Sequence, residues 1–262
     1  MLVDLSPLTL ALLCLVALAA GWIDSVVGGG GVIQLPALLF GLPTAPVALV
    51  SGTNKLSSVA GTASATATYL RKIRVDWAVV SVAMALAFVG SSIGARLISL
   101  LPRVAFTPIV AVAVAAVGIY AWCRPELGAE TALRHGRAKL RWWAGGIGFV
   151  VGVWDGMVGP GTGIFLLVAF AALLGYGFLE ATTMTKLVNL TTNVAALVVL
   201  GSQANISWGL GAMMAACNLT GGFIGARMSI TRGNTFIRKV FLFTVVVVEA
   251  KLLYDTARLI LN

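Results

Sequence analysis

The chain has 262 residues, of which 59% are apolar and 10% charged, and its mean hydropathy is +0.99. A soluble domain carries roughly a quarter charged residues, so water is excluded as the main solvent. The net charge of +9 would suggest nucleic acid in a soluble protein, but the bases gather in short loops between apolar runs, so membrane orientation accounts for them and no nucleic-acid partner is expected.

In chain order, apolar runs near the ~20 residues needed to cross ~30 Å of hydrocarbon appear at 6–23, 77–94, 106–123 and 236–253. Their signal is continuous apolarity, which predicts an all-α polytopic membrane protein. The first run is followed by Ala19, Ala20 and Gly21, as a cleavable leader would be, yet Met1-Leu2-Val3-Asp4 holds an acid and no base. It is therefore expected to stay as a transmembrane helix. Next come Asp24 and the break Gly28-Gly29-Gly30-Gly31, a short helix from about Val32, a polar stretch around Lys55 and a basic loop at Arg71, Lys72 and Arg74. Residues 124–141 are basic and read as a cytoplasmic linker. Beyond it the order repeats: Asp155, the break Gly159-Pro160-Gly161-Thr162-Gly163, a short helix from about Ile164, and Lys186.

The repetition holds a constant offset of 131 residues without a gap. Asp24 aligns with Asp155, Lys55 with Lys186, Trp77 with Trp208, and Gly90-x-x-Ile93-Gly94-Ala95-Arg96 with Gly221-x-x-Ile224-Gly225-Ala226-Arg227. The expected organisation is a first transmembrane repeat over 1–123, the linker, and a second repeat over 142–262. About eight transmembrane helices are expected, plus short segments after the breaks. Tandem duplication recurs in secondary transporters, which bind substrate between the halves.

Glycine and proline free backbone groups that hydrocarbon cannot satisfy, so the breaks point to a buried or cavity-lining site. The helix starts after Gly29, Gly30 and Gly31, and around Gly161, Thr162 and Gly163, suit an anion. The plainer alternative is that these glycines only permit close helix packing. Lys55 and Lys186 stand alone in uncharged stretches, where an ionisable residue is costly and marks a candidate substrate contact. Thr53, Asn54, Asn189 and Asn193 lie near them and supply donors for oxyanion oxygens. Each lysine alternatively snorkels to a membrane face or pairs with the acid of its own half. Asp24 and Asp155 relay protons, pair with the lysines or cap freed N–H groups. Arg96 and Arg227 follow the small-residue pairs Gly90/Gly94 and Gly221/Gly225 and read as interfacial anchors or gates on packing faces.

Taken together, Ala20-Gly21-Trp22-Ile23-Asp24 running into the four glycines, Gly52-Thr53-Asn54-Lys55-Leu56, the loop Arg71 to Trp77, and Gly94-Ala95-Arg96 resemble the TauE/SafE family of membrane permeases. The resemblance covers nearly the whole chain. It implies about eight helices in the cell (inner) membrane and movement of sulfur-containing anions such as sulfite, sulfoacetate or other organosulfonates, often outward. The second half departs from the pattern at Pro160 and at Ala204-Asn205-Ile206-Ser207, where a basic loop is missing.

That missing loop favours an inverted second half, because inversion puts most of the loop arginines and lysines on one side. Inversion needs an odd number of crossings per half, and 32–42 is short for one of them. An enzyme finds little support: His135 lies in the linker, no nucleophile set, metal spacing or phosphate loop is present, and Cys14, Cys123 and Cys217 are scattered. No cofactor or metal is expected. The reading is a secondary transporter of a small anion, with an anion channel as the alternative and a homo-oligomer left open.

Overall fold

The computed structural model of the chain describes residues 5–98, 115–116, 119–124 and 126–261. Among the described residues every regular element is helical. The helices are α1 (Pro7–Val27), α2 (Gly30–Gly41), α3 (Val47–Leu70), α4 (Trp77–Leu97), α5 (Arg137–Met157), α6 (Thr162–Ala169, continued by a π turn Phe170–Leu174), α7 (Phe178–Ser202) and α8 (Trp208–Leu261). Gly233, with φ 70°, interrupts α8. The run expected at 106–123 and the stretch Met1-Leu2-Val3-Asp4 lie wholly or mostly outside the described residues.

Local chemistry sets the boundaries. Ser6 caps α1 by accepting from the Thr9 N–H at 3.1 Å, with Pro7 at the first helical position. Gly28 closes it in the left-handed region (φ 82°), donating its N–H to the Asp24 carbonyl at 2.7 Å. Because Gly28 makes the reversal alone, α2 resumes at Gly30, earlier than the expected Val32. Gly159 and Gly161, both at positive φ, do the same in the second half, so α6 begins at Thr162 rather than Ile164. Among the described residues, four helices are long and apolar enough to cross a membrane: α1, α4, α7 and the part of α8 ending at Val247. α3 has 24 residues, but a polar stripe through Ser51, Asn54, Lys55, Ser58 and Thr62 lowers its hydropathy; α5 opens with Arg137, Lys139 and Arg141.

Glycine contacts give the relative directions. Gly148, Gly152 and Gly156 of α5 abut Ala83, Ala87 and Ser91 of α4 in turn, so these two helices run parallel. Gly221 and Gly225 of α8 abut Leu18 and Trp22 of α1, which are parallel too. In both places a backbone carbonyl occupies the space a Cβ would need, which is what small-residue packing faces provide. α3 and α7 are antiparallel: Gly52 meets Asn205 beyond one end of α7, while Thr62 meets Asn193 inside it.

Two packed bodies result. One holds α1, α2, α3 and the first segment of α8; the other holds α4, α5, α6 and α7. Each therefore takes helices from both halves of the sequence. The start of α5, the α3–α4 turn and the α6–α7 turn lie at one end, together with the linker. There Phe178 N–H donates to the Gly128 carbonyl at 2.8 Å, Ala132 N–H to Gly175 at 2.8 Å, and the Asn234 side chain to Ala129 at 2.7 Å. The start of α1, the α2–α3 turn and the α7–α8 turn occupy the other end.

α2 folds back along α1, with Gly30 against Ala20 and Gly41 against Leu13. α6 folds back along α5, where Trp154 and Phe165 stack edge to face with centroids 5.3 Å apart. The two hairpins thus enter from opposite ends, and their turns touch: Gly28 packs on Gly163, and Gly31 on Pro160. The short segment 32–42 need not cross, because α1 and α2 return to the end they came from.

Candidate functional site

The hairpin turns meet between α3 and α7, and the polar stripes of both helices face the junction. Lys55 (α3) donates to Asp155 (α5) at 2.6 Å and to the side-chain oxygen of Asn193 (α7) at 3.0 Å. Lys186 (α7) donates to the Asp24 carboxylate (α1) at 3.1 Å and also to the Asp24 backbone carbonyl. Neither lysine reaches a membrane face, since they are 4% and 0% exposed. Pairing with the acid of the same half is corrected here: each lysine takes the aspartate of the opposite half. Opposed hairpin entry is the reason, because it delivers each half's aspartate to the far side of the junction. Both pairs bridge the two packed bodies.

Around these pairs lies a cavity of about 20 Å³ lined by Asp24, Gly31, Asn54, Lys55, Asp155 and Thr162, with Gly28, Ser58, Gly159, Asn189 and Asn193 completing it. That is room for a water molecule or so, and too little for a polyatomic anion. Thr162 donates to the second Asp155 oxygen at 2.8 Å. Asn193 donates to Thr62 and to Asn189, each at 3.3 Å. The Asn54 side-chain oxygen is buried without a hydrogen-bond partner, as are the hydroxyls of Ser51, Thr182 and Thr185 along the same two stripes. Buried polar atoms without partners are costly, and among these the Asn54 oxygen belongs to a residue that lines the cavity.

Of the residues singled out from the sequence, Asp24, Gly31, Asn54, Lys55, Asp155, Thr162, Asn189 and Asn193 come together at the cavity. Gly163 supports it by packing on Gly28, while Gly29 touches Thr244 and Gly30 touches Ala20. Gly161 forms the cap of α6. Lys186 stands behind Asp24 and does not line the space. Thr53 is engaged elsewhere, donating to the Leu49 carbonyl at 2.8 Å and accepting from the Ser207 N–H at 3.0 Å. Arg96 and Arg227 are exposed near the far ends of their packing faces. Thr62 was not singled out, although it follows Lys55 by seven residues as Asn193 follows Lys186, a spacing that puts both on the lysine's face of the helix.

The family model described as sulfite exporter TauE/SafE matches residues 13–252. The chain belongs to the TauE/SafE family. "Probable membrane transporter protein YfcA" of Escherichia coli K12 is 35% identical over 96% of this chain and 92% of its own length. A "Probable membrane transporter protein" of Haemophilus influenzae is 35% identical over 94% and 95%. "Probable membrane transporter protein ORF9" of a Sinorhizobium species is 32% identical over 96% and 95%. No solved structure matches the chain. With its apolar spans, this TauE/SafE protein is a multi-pass membrane transporter.

Proposed function

We propose that this transporter carries a small sulfur-containing anion, an oxyanion or organosulfonate such as sulfite or sulfoacetate, outward across the cell membrane by alternating access at the junction of its two hairpins. The observation that carries this reading is the pair of lysine–aspartate bridges at the point where broken backbone from opposite ends of the bundle converges. Lysine supplies the countercharge, and Asn54, Ser58, Asn189 and Thr162 supply neutral hydrogen-bonding groups around it. Helix starts at Gly30 and Thr162 add partial positive charge. Because the cavity is too small for such an anion, the two packed bodies have to separate at one end to admit it and at the other to release it. That requirement favours a carrier over an open channel.

In this reading the chain is a tandem duplication with an inverted second half, of about eight transmembrane helices, and the linker end faces the cytoplasm. The concentration of Arg71, Lys72, Arg74, Arg134, Arg137, Lys139 and Arg141 at that end supports the orientation. The mobile units are the two mixed bodies rather than the two sequence halves. Sulfite, thiosulfate, sulfoacetate, sulfate and carboxylates, presented in turn to protein in liposomes, test the substrate class. Lys55→Ala should lower uptake of the preferred anion at least tenfold while leaving the detergent-purified protein folded by circular dichroism. Unchanged uptake in that variant would remove Lys55 from the site.

A further inference from the structure

The two bridges are related by the 131-residue offset, yet they are not equivalent. Lys55 and Asp155 both line the cavity, beside the unpartnered Asn54 oxygen. Lys186 is sealed from it, held by the carboxylate and the backbone carbonyl of Asp24 at the end of α1, where a cation also complements the helix terminus. Resting on the anion-carrier reading above, we propose that the cargo is bound by Lys55 in place of Asp155, that Asp155 takes up one proton as it is displaced, and that the Asp24–Lys186 bridge is intact in the step that binds the anion.

Charge balance in a water-poor site carries the argument. In the empty protein the Lys55 ammonium and the Asp155 carboxylate cancel. If a monoanion joined them unaccompanied, one net negative charge would be left among α1, α3, α5 and α7, far from bulk water, at a large desolvation cost. Protonation of Asp155 restores neutrality: the carboxylate gains the proton, its bond to the ammonium is lost, and the ammonium turns to the anion. The ionisable groups facing Asp155 are Lys55 from α3, Asp24 from α1 and, behind Asp24, Lys186 from α7; no charged group of α4, α6 or α8 lines the cavity among the described residues. Thr162, which donates to the other Asp155 oxygen, can accept from or donate to the carboxyl in either protonation state. The protein thus moves one proton with each monoanion, in the same direction and without net charge.

The test uses the full-length protein in liposomes, with the monoanion it carries best among an alkylsulfonate, hydrogen sulfite and the monocarboxylates, because a dianion would need a second proton to leave the site neutral, and it needs no variant for its first arm. Anion flux should follow an imposed pH difference and should not respond to a potassium diffusion potential set with valinomycin. Apparent affinity should fall about tenfold per pH unit rise once Asp155 is ionised in the empty site, as one-proton linkage requires. Asp155→Asn should abolish that slope and make flux respond to the potential, whereas the charge-compensated double variant Asp24→Asn with Lys186→Met should keep the slope. Potential-driven flux indifferent to pH in the wild type overturns the inference and spares the carrier reading. A pH slope retained in Asp155→Asn overturns it as well, and assigns the proton elsewhere. Absence of flux for every anion in the panel overturns both.

Discussion

Lys186 is enclosed more completely than Lys55, and that difference separates their expected mutant behaviour. Removing one partner of a buried bridge leaves an uncompensated charge, at a cost of about 3–5 kcal/mol. Lys186→Met should therefore lower the thermal unfolding midpoint in detergent clearly, because the Asp24 carboxylate loses its ammonium partner and the end of α1 loses its cation. The double variant Asp24→Asn with Lys186→Met should regain most of that loss, and failure to regain it would mean that Lys186 stabilises the fold by contacts other than the bridge. Sequence alone made both lysines visible, since an ionisable side chain amid apolar runs carries its own warning. Their partners stayed hidden because the spacing between Asp24 and Lys55 matches that between Asp155 and Lys186, and nothing in one dimension favours crossed over direct pairing. The inequality of the two lysines was equally illegible, for it depends on which side of Asp24 faces open space.

At the scale of helices, close approach depends on the absence of side chains at a few positions. A Cβ at Gly94 would collide with the Val153 carbonyl, and one at Gly225 with the Trp22 carbonyl. Neither neighbour can withdraw without moving α5 or α1, so Gly94→Val should cost several kcal/mol, at or beyond the usual overpacking range of about 1–3 kcal/mol. Gly146, on an exposed face of α5, has nothing within 4 Å of the place a methyl group would take. Gly146→Ala should leave the unfolding midpoint unchanged or raise it slightly, since alanine is the better helix former. Fluorescence-detected size exclusion after a temperature ramp would rank the two variants against wild type. The breaks at Gly28 and Gly159 were readable because a cluster of glycines inside an apolar segment weakens the helix that lipid otherwise demands. The fold-back of α2 and α6 was not, because an 11-residue apolar segment is equally compatible with an oblique crossing until its neighbours are known.

For the molecule as a whole, opposed hairpins support the proposed inversion without requiring the segment 32–42 to cross. With α1 and α2 returning to their own end, each half can contribute a reentrant hairpin together with full crossings, and the basic turns gather at the linker end. Orientation then becomes measurable. In a variant whose native cysteines Cys14, Cys123 and Cys217 are replaced by serine, Lys72→Cys should react with a membrane-impermeant maleimide only after cells are permeabilised, while Thr44→Cys should react in intact cells. Both positions are exposed, at opposite ends of the bundle. The reverse pattern would place the linker outside.

On the inverted duplication proposed above, the exchange of partners between halves, α1 with α8 and α4 with α5, bears on how such a chain can arise. A half-length polypeptide has no folded core to call its own under this scheme: its first helix finds its mate only on a sister molecule, and that sister has to lie upside down in the bilayer. An ancestor of this kind would have needed to insert in both orientations and dimerise antiparallel about a two-fold axis in the membrane plane. Fusion through a basic connector then fixes one orientation for each copy, and frees the two lysines to drift toward separate tasks.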